Sequence, residues 1–186
     1  MIRLFIALEL SKRQKKEIGE FQEKVKEHLH NVRWVKPDNI HLTLKFLGET
    51  EEDKVEPIKE AIDQVCSGFK PFLTRYGGAG VFPSERKARV LWVGIKEGEE
   101  SVCKLAEKFE EAMTSLGYKK EKRSFHPHLT IGRIRKSPPE NSIQIFLTEG
   151  KSFISSDVII KKVILFESNL TRSGAIYKSL YEKELL

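Results

Sequence analysis

With 186 residues, 39% of them hydrophobic and 32% charged, the chain suits one domain or two small interlocked lobes, and it holds no apolar run of the roughly 20 residues that a membrane-spanning helix needs. A formal net charge of +6 points to an anionic partner, nucleic acid first, although 27 acidic residues make a mixed Lys/Glu surface a serious rival. Two cysteines, far apart and within helical patterns, exclude a disulfide scaffold and read as buried thiols of a reducing, cytoplasmic compartment.

Residues 2–8 are almost continuously apolar, which predicts a strand covered on both faces; the run is too short and too soon interrupted for a signal peptide. Ser11 and Gln14 form a capping box. Ile18, Phe21, Val25 and Leu29 then recur at helical spacing, so 12–29 is an amphipathic helix. A short strand over Val32–Lys36 and a turn at Pro37-Asp38-Asn39 lead to a strand from Ile40 to Leu47, closed by Gly48. Val55, Ile58, Ile62 and Val65 mark a helix over 52–66, with Pro57 in its first turn. A strand over Phe72–Tyr76 precedes Gly77-Gly78-Ala79-Gly80, read as a bend or crossover because it lacks the spacing and ending of a P-loop.

Val90–Ile95 is the next apolar strand, and Val102, Leu105, Phe109 and Met113 mark a helix over 99–116. A strand follows from Phe125 to Ile134, then a loop over 137–141 and a short helix at Ile143–Leu147. Strands at Ser152–Ser155, Val163–Glu167 and Ala175–Tyr181 end the chain, with a turn at Arg172-Ser173-Gly174.

Two four-residue stretches organise this order: His41-Leu42-Thr43-Leu44 and His128-Leu129-Thr130-Ile131, 87 positions apart. The same offset takes Leu4 to Leu91, Ile18 to Leu105, Val25 to Ala112 and Leu29 to Leu116, which indicates an internal repeat of roughly 1–80 and 88–170. In a strand, alternate side chains share a face, so each motif presents an imidazole and a hydroxyl on one side and anchors two apolar residues on the other. Two imidazoles can serve as acid and base, and two threonine hydroxyls can hold phosphate oxygens. Such a set suits phosphate-ester chemistry without a metal.

The flanks sharpen this. Trp34-Val35-Lys36-Pro37 ahead of His41–Gly48, Gly80-Val81-Phe82-Pro83, Val90–Gly94 and Phe125–Arg133 resemble the 2H phosphoesterase superfamily, in its RNA 2′,3′-cyclic phosphodiesterase (2′-5′ RNA ligase) branch. The resemblance implies an α+β fold of two pseudo-symmetric lobes, each an antiparallel sheet backed by helices, with an active-site cleft between them. Residues 1–186 then form a single bilobal domain, the chain ends building one lobe and the middle the other. It further implies metal-independent, cofactor-free hydrolysis of RNA 2′,3′-cyclic phosphate ends to 2′-phosphates, with His41 as proton donor and His128 as proton acceptor. Thr43 and Thr130 bind the phosphate, and reverse 2′-5′ ligation runs through the same site. RNA ends, tRNA halves among them, are the expected partner; no membrane and no obligate protein partner are. The alternative is a non-catalytic basic module that binds RNA ends.

Strand parity adds Lys45, which shares the face of His41 and Thr43, as a substrate contact at the rim or a solvated lysine at a strand end. Arg133 has the opposite parity from His128 and reads as structural; Trp34 and Phe46 are base-stacking candidates that fit a core equally well. A zinc site from His41, His126 and His128 needs more ligands than the chain clearly offers.

Overall fold

The computed structural model describes residues 1–136, 140–171 and 174–186. Among them lie nine strands and four α-helices: β1 (Ile2–Glu9), α1 (Lys12–Lys26), β2 (Val32–Trp34), β3 (His41–Thr50), α2 (Val55–Cys66), β4 (Phe72–Phe82), β5 (Val90–Glu97), α3 (Glu99–Ser115), β6 (Leu129–Ile134), α4 (Glu140–Ser152), β7 (Val158–Ile160), β8 (Lys162–Thr171) and β9 (Gly174–Glu184). The capping box forms: the Ser11 hydroxyl accepts from the Gln14 N–H at 3.1 Å and the Gln14 side chain accepts from the Ser11 N–H at 3.3 Å. Ile18, Phe21 and Val25 fill the buried face of α1.

All strand pairs are antiparallel, in the order β7-β4-β5-β6-β3-β1-β8-β9, with β2 also on β6. The sheet is pinched at its centre. β3 touches β6 only at Leu42↔Leu129 and then leaves it to run along the whole of β1. The sheet thereby becomes two halves that open from one seam. Leu42 and Leu129 are both fully buried there, each contributing on the order of 1.5–3 kcal/mol by leaving water. Helices α2 and α3 cover the half made by the chain ends, where the α3 carboxylate of Glu110 holds Lys45 of β3. Helices α1 and α4 cover the other: Phe21 stacks on Phe153, and Gln22 donates to the carbonyls of Val35 and Ile131 at 2.8 Å each.

Several boundaries differ from the sequence expectation. Gly77–Gly80 does not end β4; the strand continues through it with a slip in register between Tyr76 and Ala79. Gly80 is required by close approach, since a Cβ there would lie 2.0 Å from the Trp92 indole. β6 starts only at Leu129, because Pro127 has no N–H to give a ladder. Ser152–Ser155 is not a strand: α4 runs to Ser152, only Ile154 bridges to Gly77, and the true edge strand is β7. Residues 137–139 of the expected loop, and Arg172 and Ser173 of the expected turn, lie outside the described residues. Cys66 is a buried free thiol and Cys103 a half-buried one. No helix among the described residues is long and apolar enough to cross a membrane.

Candidate active site

The four motif residues meet at the seam. Leu42 faces Leu129, so continuing that register one residue each way sets His41 across from Thr130 and Thr43 across from His128. Both leucines point into the core, which turns the four intervening side chains to the open face. The histidines then occupy one diagonal of a square and the threonines the other. In a regular antiparallel pair such a diagonal is about 7–8 Å between strand positions.

Each ring is fixed the same way. His41 Nδ1 lies 2.8 Å from the Asn39 carbonyl, and His128 Nδ1 lies 2.7 Å from the His126 carbonyl. A carbonyl can only accept, so Nδ1 carries the proton in both and Nε2 is left for chemistry. Asn39 and His126 are themselves 87 positions apart, so the repeat reproduces the hydrogen bond as well as the motif. Neither Thr43 nor Thr130 has a hydroxyl partner among the described residues.

Aromatic walls hold the rings from behind. Phe5 stacks on His41 at 4.7 Å between centroids, and Tyr177 meets it edge-on at 5.0 Å. Phe82 meets His128 edge-on at 5.0 Å, with Trp92 beside it at 6.4 Å. Phe5 and Trp92 are again related by the offset. Burial against these rings disfavours the imidazolium. The pKa of His41 falls to about 4, chiefly from burial, against the opposing pull of the Asn39 carbonyl. That of His128 falls as well, again mainly by burial, with the positive charges of His126 and Arg133 adding to it.

Two sequence-based assignments change. Lys45 does not share the His41 face. The β1 register runs Ile6↔Lys45 and then Ala7↔Thr43, so Leu44 is an extra, bulged residue and parity inverts after it. Lys45 is buried on the helix side, donating to Glu110 at 2.7 and 2.8 Å and to the Lys119 carbonyl at 3.0 Å. Its ammonium is committed there and does not reach the rim as a substrate contact. Arg133 changes the other way. Leu91 pairs with Gly132 and Trp92 with Thr130, so Ile131 is the extra residue of β6. Gly132 faces the core side chains of Val32, Trp34 and Leu91, and Arg133 returns to the open face, where its charge acts on His128 and Tyr177. It is a site residue that strict alternation hides. Past the Leu44 bulge, Phe46 also reaches the open face, exposed beneath the Arg3 guanidinium at 4.9 Å, whereas Trp34 packs against the core.

Among the described residues no group of three or more His, Cys, Asp or Glu side chains is arranged to hold a metal ion. The model of the family described as LigT-like phosphoesterases matches this chain twice, over residues 8–92 and 93–177. The chain belongs to the LigT-like phosphoesterase family. The tandem match is the repeat in another form, one copy of the family unit for each histidine motif. Among relatives in this family, an RNA 2′,3′-cyclic phosphodiesterase of Archaeoglobus fulgidus is 35% identical over 185 residues, covering 96% of this chain and 98% of the relative. One from Thermotoga maritima is 34% identical over 181 residues, covering 97% and 94%. A crystal structure from Thermus thermophilus superposes with a TM-score of 0.83 at 25% identity, over 99% of this chain and 98% of that one. The LigT-like fold is further shared with Escherichia coli LigT, solved with 3′-AMP, at a TM-score of 0.74 and 24% identity, over 99% and 98% of the two chains.

Proposed function

We propose that this phosphoesterase hydrolyses the 2′,3′-cyclic phosphate at an RNA end, opening it at the 3′ oxygen to leave a 2′-phosphate. The reading is supported by the names of its full-length relatives, RNA 2′,3′-cyclic phosphodiesterases, and by one geometric observation that carries it. Two imidazoles, each pinned through Nδ1 to the carbonyl two residues before it, lie diagonally across a pair of threonine hydroxyls.

The chemistry follows from that square. His128 Nε2 takes a proton from water as the water oxygen bonds to phosphorus. The bond from phosphorus to the 3′ oxygen breaks, and His41 Nε2–H gives its proton to the departing oxygen. Thr43 and Thr130 donate to the non-bridging oxygens, and Arg133 lends positive charge to the same face, so charge developing in the transition state meets fixed donors. With an RNA 5′-hydroxyl in place of water, its oxygen bonds to phosphorus as its proton passes to His128, the bond to the 3′ oxygen breaks and takes the proton of His41, and the ends are joined through a 2′-5′ linkage.

The test is turnover of a defined RNA end bearing a 2′,3′-cyclic phosphate, with chelator present, followed by identification of the phosphate position. A 2′-phosphate product is expected, falling about 10²–10⁴-fold in His41→Ala and in His128→Ala. Binding without turnover in the intact protein would instead identify a non-catalytic RNA-end module, and a 3′-phosphate product would reverse the direction of opening.

A further inference from the structure

The segment joining α3 to β6 carries His126 and His128 at its end and a dense run of positive charge before them. Lys119, Lys120, Lys122 and Arg123 occupy four of five consecutive positions, all exposed. The one acid among them, Glu121, turns its carboxylate back on the chain and accepts the N–H of Lys122 at 2.9 Å. None of the four cationic groups lies at ion-pair distance from a carboxylate among the described residues; Lys120 acts on Glu110 only from farther off. A second run of equal density, Lys12–Lys16, provides the contrast: there Arg13, Lys15 and Lys16 are matched by Glu17, Glu9 and Glu20. Three of the four cations of that run sit at ion-pair distance from a carboxylate, and none of the four in this loop does.

The loop is also held in place. Lys45 donates to the Lys119 carbonyl at 3.0 Å, and Glu110 accepts the Glu121 N–H at 2.9 Å. The buried pair that removed Lys45 from the open face thus anchors the basic loop. β3 leaves the seam past Thr43 toward Phe46, and the chain reaches His128 from Phe125, so the antiparallel register through Leu42 and Leu129 carries both rings toward the same end of the seam. Phe46 and Phe125 are the exposed Phe, Tyr or Trp rings among the described residues. Unpaired cations beside exposed rings are the means by which proteins hold single-stranded nucleic acid, phosphates on the charges and bases on the rings.

We infer that the loop Lys119–Arg123, with Phe46 and Phe125, is the track for the single-stranded RNA body leading to the reacting end. This rests on the proposed RNA-end activity. It makes the protein selective for oligonucleotide ends over small cyclic nucleotides, through contacts that take no part in the chemistry.

The test compares wild type with the combined Lys119→Gln, Lys120→Gln, Lys122→Gln, Arg123→Gln variant on two substrates, a 2′,3′-cyclic mononucleotide and an octaribonucleotide ending in the same group. The variant should keep mononucleotide kcat/KM within about twofold. On the octamer KM should rise about tenfold or more, and the slope of log KM against log salt should flatten by about 2–3, near 0.7 per phosphate released from contact. Phe46→Ala with Phe125→Ala should raise octamer KM alone. Equal loss on both substrates, or no loss on either, overturns the track. So does a wild-type protein that shows no preference for the octamer and no salt dependence, a result independent of whether the variant folds. If wild type turns over neither substrate, the proposed activity fails, and the track is judged by fluorescence anisotropy with a 3′-phosphorylated octamer: salt-sensitive binding lost in the variant upholds it, and unchanged or absent binding rejects it.

Discussion

At the scale of single residues, the two imidazoles present an electrostatic problem whose solution is measurable. The proton donor proposed above must hold a proton, yet burial against Phe5 brings the unliganded His41 pKa down to about 4. The ring is therefore neutral near pH 7 until something favours its charge. A phosphate anion between the rings does so, because an opposite charge at close range raises an imidazole pKa. Between about pH 5 and 6, above the unliganded value and below the ordinary imidazole value, binding of inorganic phosphate should take up close to one proton. The affinity should weaken as pH rises through the liganded pKa, where the proton gained on binding is lost. Calorimetry in buffers of different ionisation enthalpy reads the uptake directly. It should disappear in His41→Ala; persistence there with loss in His128→Ala would exchange the two roles. The shared face of these two histidines and their threonines was legible in the sequence because period-two alternation survives across four residues. It misplaced Lys45 and Arg133 because one bulged residue, Leu44 or Ile131, inverts every side chain beyond it, and nothing in the composition announces which residue that is.

At the scale of elements, the Leu44 bulge turns a lysine out of the cleft and uses it to tie β3 to α3 and to the approach of β6. Burial by itself would raise the Glu110 pKa, but the bond from Lys45 and the Glu121 N–H outweigh it and hold the carboxyl below its usual range. Removing one partner leaves the Lys45 ammonium buried and unmatched, a change that costs about 3–5 kcal/mol at fully buried pairs. Glu110 is about one-fifth exposed, so Glu110→Gln should lower stability by roughly 2–3 kcal/mol. The double variant Lys45→Met, Glu110→Leu, which leaves no stranded charge, should lose less than that. Chemical denaturation of the two variants checks the order; a double variant weaker than Glu110→Gln would mean that the pair contributes more than it costs to desolvate. The elements themselves were largely readable, since the stripes of α1, α2 and α3 and the apolar strands follow from periodicity. The glycines of β4 were not, because a glycine demanded by the Trp92 indole looks in sequence like one demanded by a turn.

At the scale of the molecule, each half of the repeat lends its helix to the other. α1 follows β1 in the chain, yet Gln22 bonds the carbonyls of Val35 and Ile131 beside β2 and within β6, and Phe21 packs on Phe146 and Phe153. α3 follows β5, yet its Glu110 holds Lys45 in β3. A helical stripe states which face is buried but not against which sheet, so the exchange could not be read from the repeat. It has a thermodynamic consequence. Neither half can bury its sheet without a helix from the other, so residues 1–186 should unfold in one transition despite the two lobes. Trp34 and Trp92 both lie on the side of β2 and β5, so tryptophan fluorescence follows that lobe alone, while far-UV circular dichroism follows both. The two midpoints should coincide, and fragments 1–87 and 88–186 made separately should each remain unfolded. Separated midpoints, or a fragment with a cooperative transition of its own, would mean that the lobes are independent and that the exchanged helices only decorate them.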